Sequence, residues 1–470
     1  MKMKKLNDKT RYLLGLSGQN ILYALVTSSF AYFMQFTILI PAAWLGVILS
    51  VGRIFDAVKE PFVGLYINKS QWPIAKFLRV LPLPTAVLTV LCFTSKIYAP
   101  ENGNLQNAFI IGYCFVIFLL WEMVFSFGDI PMVSLPNVLT QDEDERTKLF
   151  TLRNVGGMVC SICCLLVQPL VFALSAKMGG TGTDERNSFF IVALVFSAIG
   201  FVFYNATVSK EKNTLIKPKE ENTKQAYKYI FKNPLLMRIT VSAILVSMTS
   251  LQGVVLPALV NYYFSSKNAG LTLLYTFLLG TGSFMGQLFS VFFVPKISKK
   301  MGNAKGFVFC NFIAAFPNFC IFMLYLGNKT TMDSPLIFAL MYLCLLITGV
   351  FWGFSFSLRT LVIDDALELE YKTTGVKPTA LFFSFVTGLT KINAGIASFI
   401  ASLGYVLIGF TSTQTAALNE YIAGGLVPKE SGEYTSLFTM LFFMFSVLPA
   451  ISSLLSCIPF MQKRTAQKDG

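Results

Sequence analysis

The chain has 470 residues, 54% hydrophobic and only 13% charged, with 46 phenylalanines, no histidine and a formal net charge of +14. Soluble domains carry about 25% charged residues, so the composition excludes a soluble globular protein and points to an all-α polytopic membrane protein. The missing histidine removes the commonest metal ligand and proton shuttle. With no nucleophile–base pair or metal-ligating cluster legible, an enzyme is not expected.

A membrane-spanning helix needs about 20 apolar residues. About twelve such stretches follow one another, at 12–38, 42–66, 78–99, 107–135, 151–175, 188–208, 237–263, 270–296, 305–326, 335–362, 379–410 and 435–461. The basic N-terminus runs into the first stretch without a small-residue cleavage site, so that helix is expected to be retained. With the N-terminus inside, 27 Lys and Arg fall in cytoplasmic segments and six outside, from Lys96 to Lys429. The positive-inside rule then places both termini in the cytoplasm. Topology accounts for the net charge, and no nucleic-acid partner is implied.

The second stretch carries the run Arg53-Ile54-Phe55-Asp56-Ala57-Val58-Lys59-Glu60-Pro61. An ionised group at the bilayer centre costs roughly 2.5–3.5 kcal/mol on insertion scales. Four within eight residues must therefore face protein or water and find partners there. Asp56 and Glu60 share a helix face. At a rise of 1.5 Å per residue, Asp56 lies roughly 18 Å from the cytoplasmic end of its helix and Glu60 roughly 12 Å. In the fourth stretch Asp129 is again roughly 18 Å deep, and in the eleventh Lys391 is roughly 20 Å deep. A shared site near the midplane is the economical reading: Asp56, Glu60 and Asp129 as oxygen ligands of a coupling cation or as proton carriers, Ser126 as a neutral oxygen, and Lys391 as a competing counter-charge. Glu122, two turns before Asp129, is expected to pair with a cation. Arg153 in the fifth stretch is a substrate or gate candidate. Arg359 in the tenth suits a structural role at the cytoplasmic end. Cys160, Cys163 and Cys164 read as small apolar packing residues.

Residues 209–236 are the most polar long insertion and divide the chain into 1–208, this cytoplasmic loop, and 237–470. Six stretches on either side of a basic linker match the major facilitator architecture, two pseudo-symmetric six-helix bundles around a central cavity.

These same residues carry a family resemblance. The run 53–61 resembles the Arg-Ile-Trp/Phe-Asp-Ala-x-x-Asp-Pro motif of the glycoside–pentoside–hexuronide:cation symporters, the melibiose permease group of the major facilitator superfamily. Asp129-Ile130-Pro131 with Ser134-Leu135 is similar to the family's Asp-Ile-Pro-x-x-Ser-Leu. Glu370-Tyr371-Lys372, then Thr387 and Lys391, echo its Glu-Tyr-Lys and Lys-Gly-Gly region. The resemblance implies cation binding by Asp56, Glu60 and Asp129, with Na+ possible there, a role for Lys391 beside them, and a substrate role for Arg153. It implies a sugar or glycoside held by polar groups and aromatic faces, with Asn20, Gln19, Trp352 and Thr387 as further candidates.

The departures matter too. Melibiose permease has Gly-Lys-Asp where this chain reads Gly18-Gln19-Asn20, so melibiose itself is not the expected substrate. The expected tryptophan beside Asp-Ile-Pro is Val133, and Trp352 stands three residues off its family spacing. The last acid of the 53–61 motif is Glu60, with Lys59 beside it as a tethered ammonium in the place of a sodium ion, which tilts the choice between H+ and Na+ toward H+. The expectation is a monomeric, multi-pass symporter of the plasma membrane, in contact with lipid and without a cofactor. A same-fold carrier of a lipid-like or anionic solute is the alternative, because fold does not fix cargo.

Overall fold

A chain in lipid must satisfy every backbone N–H and C=O internally, and an α-helix does so within one segment. The computed structural model describes residues 7–94, 108–139, 149, 163, 165–207, 233–291, 293–374 and 379–461, and it contains no strand among them. Among the described residues, seven helices are long and apolar enough to cross a membrane: Ile74–Cys92, Ala108–Pro136, Gly182–Asn205, Ala269–Ser290, Asn303–Gly327, Pro335–Lys372 and Gly432–Met461. Two bent pairs, Pro234–Leu245 with Ser247–Phe264 and Gly395–Leu407 with Ser412–Ala423, qualify when each pair is taken as one span. Asp8–Tyr32 and Ala42–Lys69 are as long, at 25 and 28 residues. The second differs in its run of charges. Leu165–Met178 is a shorter apolar helix. The set is consistent with the twelve expected stretches, and Arg153, Cys160, Cys164 and residues 208–232 of the central loop lie outside the described residues.

The helices group into two compact units. The first comprises Met1–Lys219 with Lys267–Leu273 and Phe410–Leu426; the second comprises Glu220–Ser266, Leu274–Gly409 and Val427–Gly470.

In the first unit, the helices Asp8–Tyr32 and Gly182–Asn205 approach backbone to backbone. A β-carbon at Gly18 would collide with the Tyr204 amide and the Gly200 carbonyl. Small residues permit such contacts in membranes, where lipid removes the hydrophobic drive for helices to associate. This fixes the helix that carries Gln19, Asn20 and Tyr23. Further along, Phe33 lies 5.2 Å from Phe93 and 5.1 Å from Phe189, ring centroid to centroid.

The helix then ends in a π-helical turn, Phe33–Thr37, which later parts of the sequence hold in place. Asn419 donates to the Phe36 carbonyl at 2.9 Å. Glu185 accepts from Thr37 at 2.6 Å through one oxygen and from Lys267 at 2.6 Å through the other. Both segments assigned to this unit from beyond residue 219 are thus tied to one helix end.

In the second unit, the part of Ala269–Val291 from Leu274 onward meets Pro335–Thr374 in the same small-residue manner. A β-carbon at Gly286 would strike the Leu346 carbonyl, and one at Gly349 the Ser283 carbonyl. The apolar core of this unit gathers Leu236, Ile239, Phe307, Leu358, Val362 and Leu367.

A charged cluster on two membrane helices

Ala42–Lys69 and Ala108–Leu139 put their charged residues together. Arg53 reaches across to Glu122 at 3.0 Å, and Lys59 bonds Asp56 at 2.9 Å one turn away on its own helix. Ser126 Oγ donates to the same Asp56 oxygen at 2.9 Å. Asp56 is 2% exposed, Lys59 5% and Glu122 1%. At that burial an unpaired charge is prohibitive, so the pairing explains how a helix with four charges in eight residues is accommodated.

Aromatic rings wall the cluster. The Arg53 guanidinium lies 6.0 Å from the Phe118 ring centre, and Lys59 lies 5.2 Å from that of Phe55. Tyr23 hydrogen-bonds Arg53 and packs against Phe125 at 5.0 Å and Trp121 at 6.1 Å. Trp121 is fully buried and donates its indole N–H to Thr89 at 2.9 Å. A weakly hydrated guanidinium over ring faces is a favourable contact when desolvated.

Asp129 stands apart from these pairs. Gln19 Nε2 donates to its Oδ1 at a long 3.4 Å, and the Tyr204 side chain is near enough to interact with it electrostatically. No ion pair to Asp129 is present among the described residues. Its exposure is intermediate, as is that of Glu60. The six side chains Arg53, Asp56, Lys59, Glu60, Glu122 and Asp129 carry a formal charge of −2 when all are ionised.

Of the expected site residues, Asp56 and Ser126 are in direct contact, and Gln19 contacts Asp129. Glu60 lies one turn beyond Asp56 on the same helix. Asn20 is half-buried and donates to the Leu16 carbonyl of its own helix at 2.8 Å. Trp352 donates to Ser453 at 3.2 Å within the second unit. The side chains of Thr387 and Lys391 lie outside the described residues, although both positions fall in the helix Thr379–Leu407. Glu122 has the cationic partner expected of it, and that partner is Arg53. Arg359 lies over the Phe356 ring at 5.2 Å.

The residues not singled out from sequence are Tyr23 and Trp121. The only sequence signal for them was position: Tyr23 is one turn from Asn20, and Trp121 is next to Glu122.

Similarity to known proteins places this cluster in context. The chain is 24% identical over 429 residues to the uncharacterized symporter YjmB of Bacillus subtilis (strain 168), spanning 88% of this chain and 86% of that protein. It is 25% identical over 426 residues to the isoprimeverose transporter of Lactiplantibacillus pentosus, spanning 88% and 83%. Among solved structures it superposes on an inward-facing, occupied bacterial homolog of the human lysosomal transporter Spinster with a TM-score of 0.62. That match has 12% identity and covers 96% of this chain and 97% of the other, and it bears on fold alone. The model of the family described as "MFS/sugar transport protein" matches residues 11–462. The chain belongs to that family of membrane transporters, with the major facilitator fold.

Proposed function

We propose that the chain is a secondary active transporter that couples a cation to the movement of a sugar or glycoside by alternating access between bundles 1–208 and 237–470, joined by the loop 209–236. The observation that carries this reading is the buried charge cluster on Ala42–Lys69 and Ala108–Leu139. Membrane helices retain such groups where they handle ions, and the chain's family is one of sugar transport. The isoprimeverose transporter and the symporter of Bacillus subtilis support a saccharide cargo and a coupled ion. The asymmetry of Lys and Arg supports a cell-membrane protein with both termini in the cytoplasm.

The finer assignment is that the ion is a proton. A sodium ion needs several free oxygens at short range. One Asp56 oxygen is already engaged by Lys59 at 2.9 Å and Ser126 at 2.9 Å. Asp129 has no cationic partner among the described residues, and it is the carboxylate assigned here to carry the proton. Asp56, Ser126 and Glu60 complete the ion site in this reading. Gln19, Asn20 and Tyr23, together on the helix Asp8–Tyr32, form the sugar's side of the site in this reading, with Arg153 contributing a bidentate donor. Alternation follows from the electrostatics: an uncompensated carboxylate resists occlusion and a protonated one does not.

Uptake of labelled glycosides into vesicles, with proton and sodium gradients imposed separately, tests both levels. Accumulation driven by an inward proton gradient is expected, with Asp129→Asn reducing it to equilibration. Accumulation that only a sodium gradient drives would refute the proton assignment, and undiminished accumulation in Asp129→Asn would refute the site.

A further inference from the structure

The span that begins at Pro234 is interrupted where the sequence has neither proline nor glycine. Pro234–Leu245 and Ser247–Phe264 meet at a 40° bend, with a 3-10 turn over Ser247–Ser250. The first piece has 12 residues. At 1.5 Å per residue the break lies about 18 Å along the helix axis from Pro234, near the middle of a bilayer whose apolar core is about 30 Å thick.

This break is supported from behind. Ser452 Oγ donates to the Leu245 carbonyl at 2.5 Å and accepts the Met248 N–H at 3.2 Å, bridging the interruption with one hydroxyl. Asn393 donates to the Ala243 carbonyl at 2.6 Å, and Thr249 Oγ1 donates to that of Val246 at 2.7 Å. The backbone groups freed by the bend are therefore satisfied by side chains. That is the condition under which irregular backbone is tolerated at membrane depth.

The other side of the break is polar and open. Ser250 and Gly253 are exposed, and a β-carbon at Gly253 would meet nothing within 4 Å. An exposed hydroxyl facing hydrocarbon is costly, so this surface suits a water-filled path. Gln252, between the two in sequence and half-buried, has its amide orientation fixed by a relay. Asn318 Nδ2 donates to the Ala314 carbonyl at 2.9 Å, which turns Asn318 Oδ1 toward Gln252, whose Nε2 donates to it at 2.9 Å. That leaves Gln252 Oε1 as a held acceptor with no partner among the described residues.

Substrate sites of transporters gather at discontinuous helices near the midplane. Resting on the reading of the chain as a sugar symporter, we propose that the break at Ser247–Ser250 forms a solute subsite in the second unit, where Gln252 Oε1 accepts a hydrogen bond from one hydroxyl of a neutral polyhydroxylated solute. A neutral amide carries no charge for the solute to neutralise. It therefore discriminates by hydroxyl position and leaves ion coupling untouched.

The test is initial-rate uptake in proteoliposomes of a transported glycoside and its monodeoxy analogues, by wild type and by Gln252→Ala. The variant should raise KM for the parent sugar about three- to tenfold, the worth of one neutral hydrogen bond, with the same dependence on the proton gradient. One monodeoxy analogue should show that penalty with wild type and no further penalty with Gln252→Ala. Equal deoxy penalties in both proteins overturn the subsite while leaving the transporter reading intact. Wild-type protein that takes up no glycoside at all overturns that reading and the subsite with it. Should Gln252→Ala fail to fold, Gly253→Cys in a background without other cysteines replaces it. Transported sugar should slow labelling of that thiol severalfold, and unprotected labelling overturns the proposal.

Discussion

Among the described residues, the paired polar groups inside the two units differ in kind. In the first, the interior groups are ions: Arg53 with Glu122 at 3.0 Å and Lys59 with Asp56 at 2.9 Å. In the second, the described interior contacts are neutral: Asn311 with Ser355 at 2.8 Å, Gln252 with Asn318 at 2.9 Å and Trp352 with Ser453 at 3.2 Å. Described charged groups there include Lys429 with Asp333 and Asn233 with Glu370 near helix ends, Asp365 with Asn303 on an exposed face, and Arg359, which lies over the Phe356 ring rather than against an acid. Ion pairs in low dielectric change strength steeply when a proton or cation arrives. Neutral hydrogen bonds do not, but they read hydroxyl geometry well. The contrast suggests a division in which the first unit handles the ion and the second contributes to reading the solute.

The most damaging way to break this comparison is to unbalance the first unit. Arg53→Leu leaves Glu122 buried without its cation, and Glu122→Leu leaves Arg53 without its anion. Each single change should cost about 3–5 kcal/mol, the penalty for orphaning one member of a buried pair. Thermal unfolding in detergent measures it, and the double change Arg53→Leu with Glu122→Leu should recover most of the loss. A double variant as unstable as the sum of the singles would mean that the two side chains act independently.

A milder change sharpens the assignment of the ion. Lys59→Ala removes the ammonium from Asp56 without removing any oxygen. Two carboxylates on one helix face, Asp56 and Glu60, then lack that tethered positive charge, and sodium becomes a competent ligand. Uptake that is indifferent to sodium in the wild type should become sodium-stimulated in Lys59→Ala, read as a severalfold change in initial rate on sodium addition. Continued indifference would show that Lys59 is not what excludes the metal ion.

The contrast also shows what the sequence could reveal. Charges in an apolar run are conspicuous, so the helix Ala42–Lys69 and the need for partners were legible; Ser126 was expected as a neutral oxygen, and its hydroxyl donates to Asp56. Which cation meets which acid was not. Arg53 is one turn from Asp56, yet it reaches to the other helix, because the pairing depends on rotamers and helix approach that spacing does not encode.

The helix break was hidden for a related reason. Prolines and glycines attract attention as breakers, but Pro131 and Pro136 sit inside the continuous helix Ala108–Leu139, and Pro317 sits inside Asn303–Gly327. Of the two bent pairs among the described residues, Gly395–Leu407 with Ser412–Ala423 does turn past a glycine, Gly409 at φ +67°, but the span from Pro234 breaks at Val246-Ser247-Met248-Thr249-Ser250. Only three hydroxyl residues in four positions hint at it, through their tendency to compete for backbone groups. The groups that settle the matter, Ser452 and Asn393, lie more than 140 residues away in sequence.

The smallest expected effect concerns the other end of the first unit. Glu185 is 6% exposed and binds Thr37 and Lys267 with separate oxygens. Lys267 also lies over the Phe172 ring at 5.7 Å and adopts a left-handed backbone with φ +59°. A left-handed conformation is unfavourable for a lysine, so its side-chain contacts help hold the turn. Lys267→Gly relieves the backbone but deletes the ion pair and the ring contact, whereas Lys267→Met keeps the stem and deletes only the charge. Partly exposed pairs of this kind contribute on the order of 1 kcal/mol. Amide hydrogen exchange across 267–273 should therefore speed up several-fold in Lys267→Met and further in Lys267→Gly, with global stability nearly unchanged. Equal exchange in wild type and Lys267→Met would mean that the backbone alone holds the segment, and that the ion pair to Glu185 does not anchor it to the first unit.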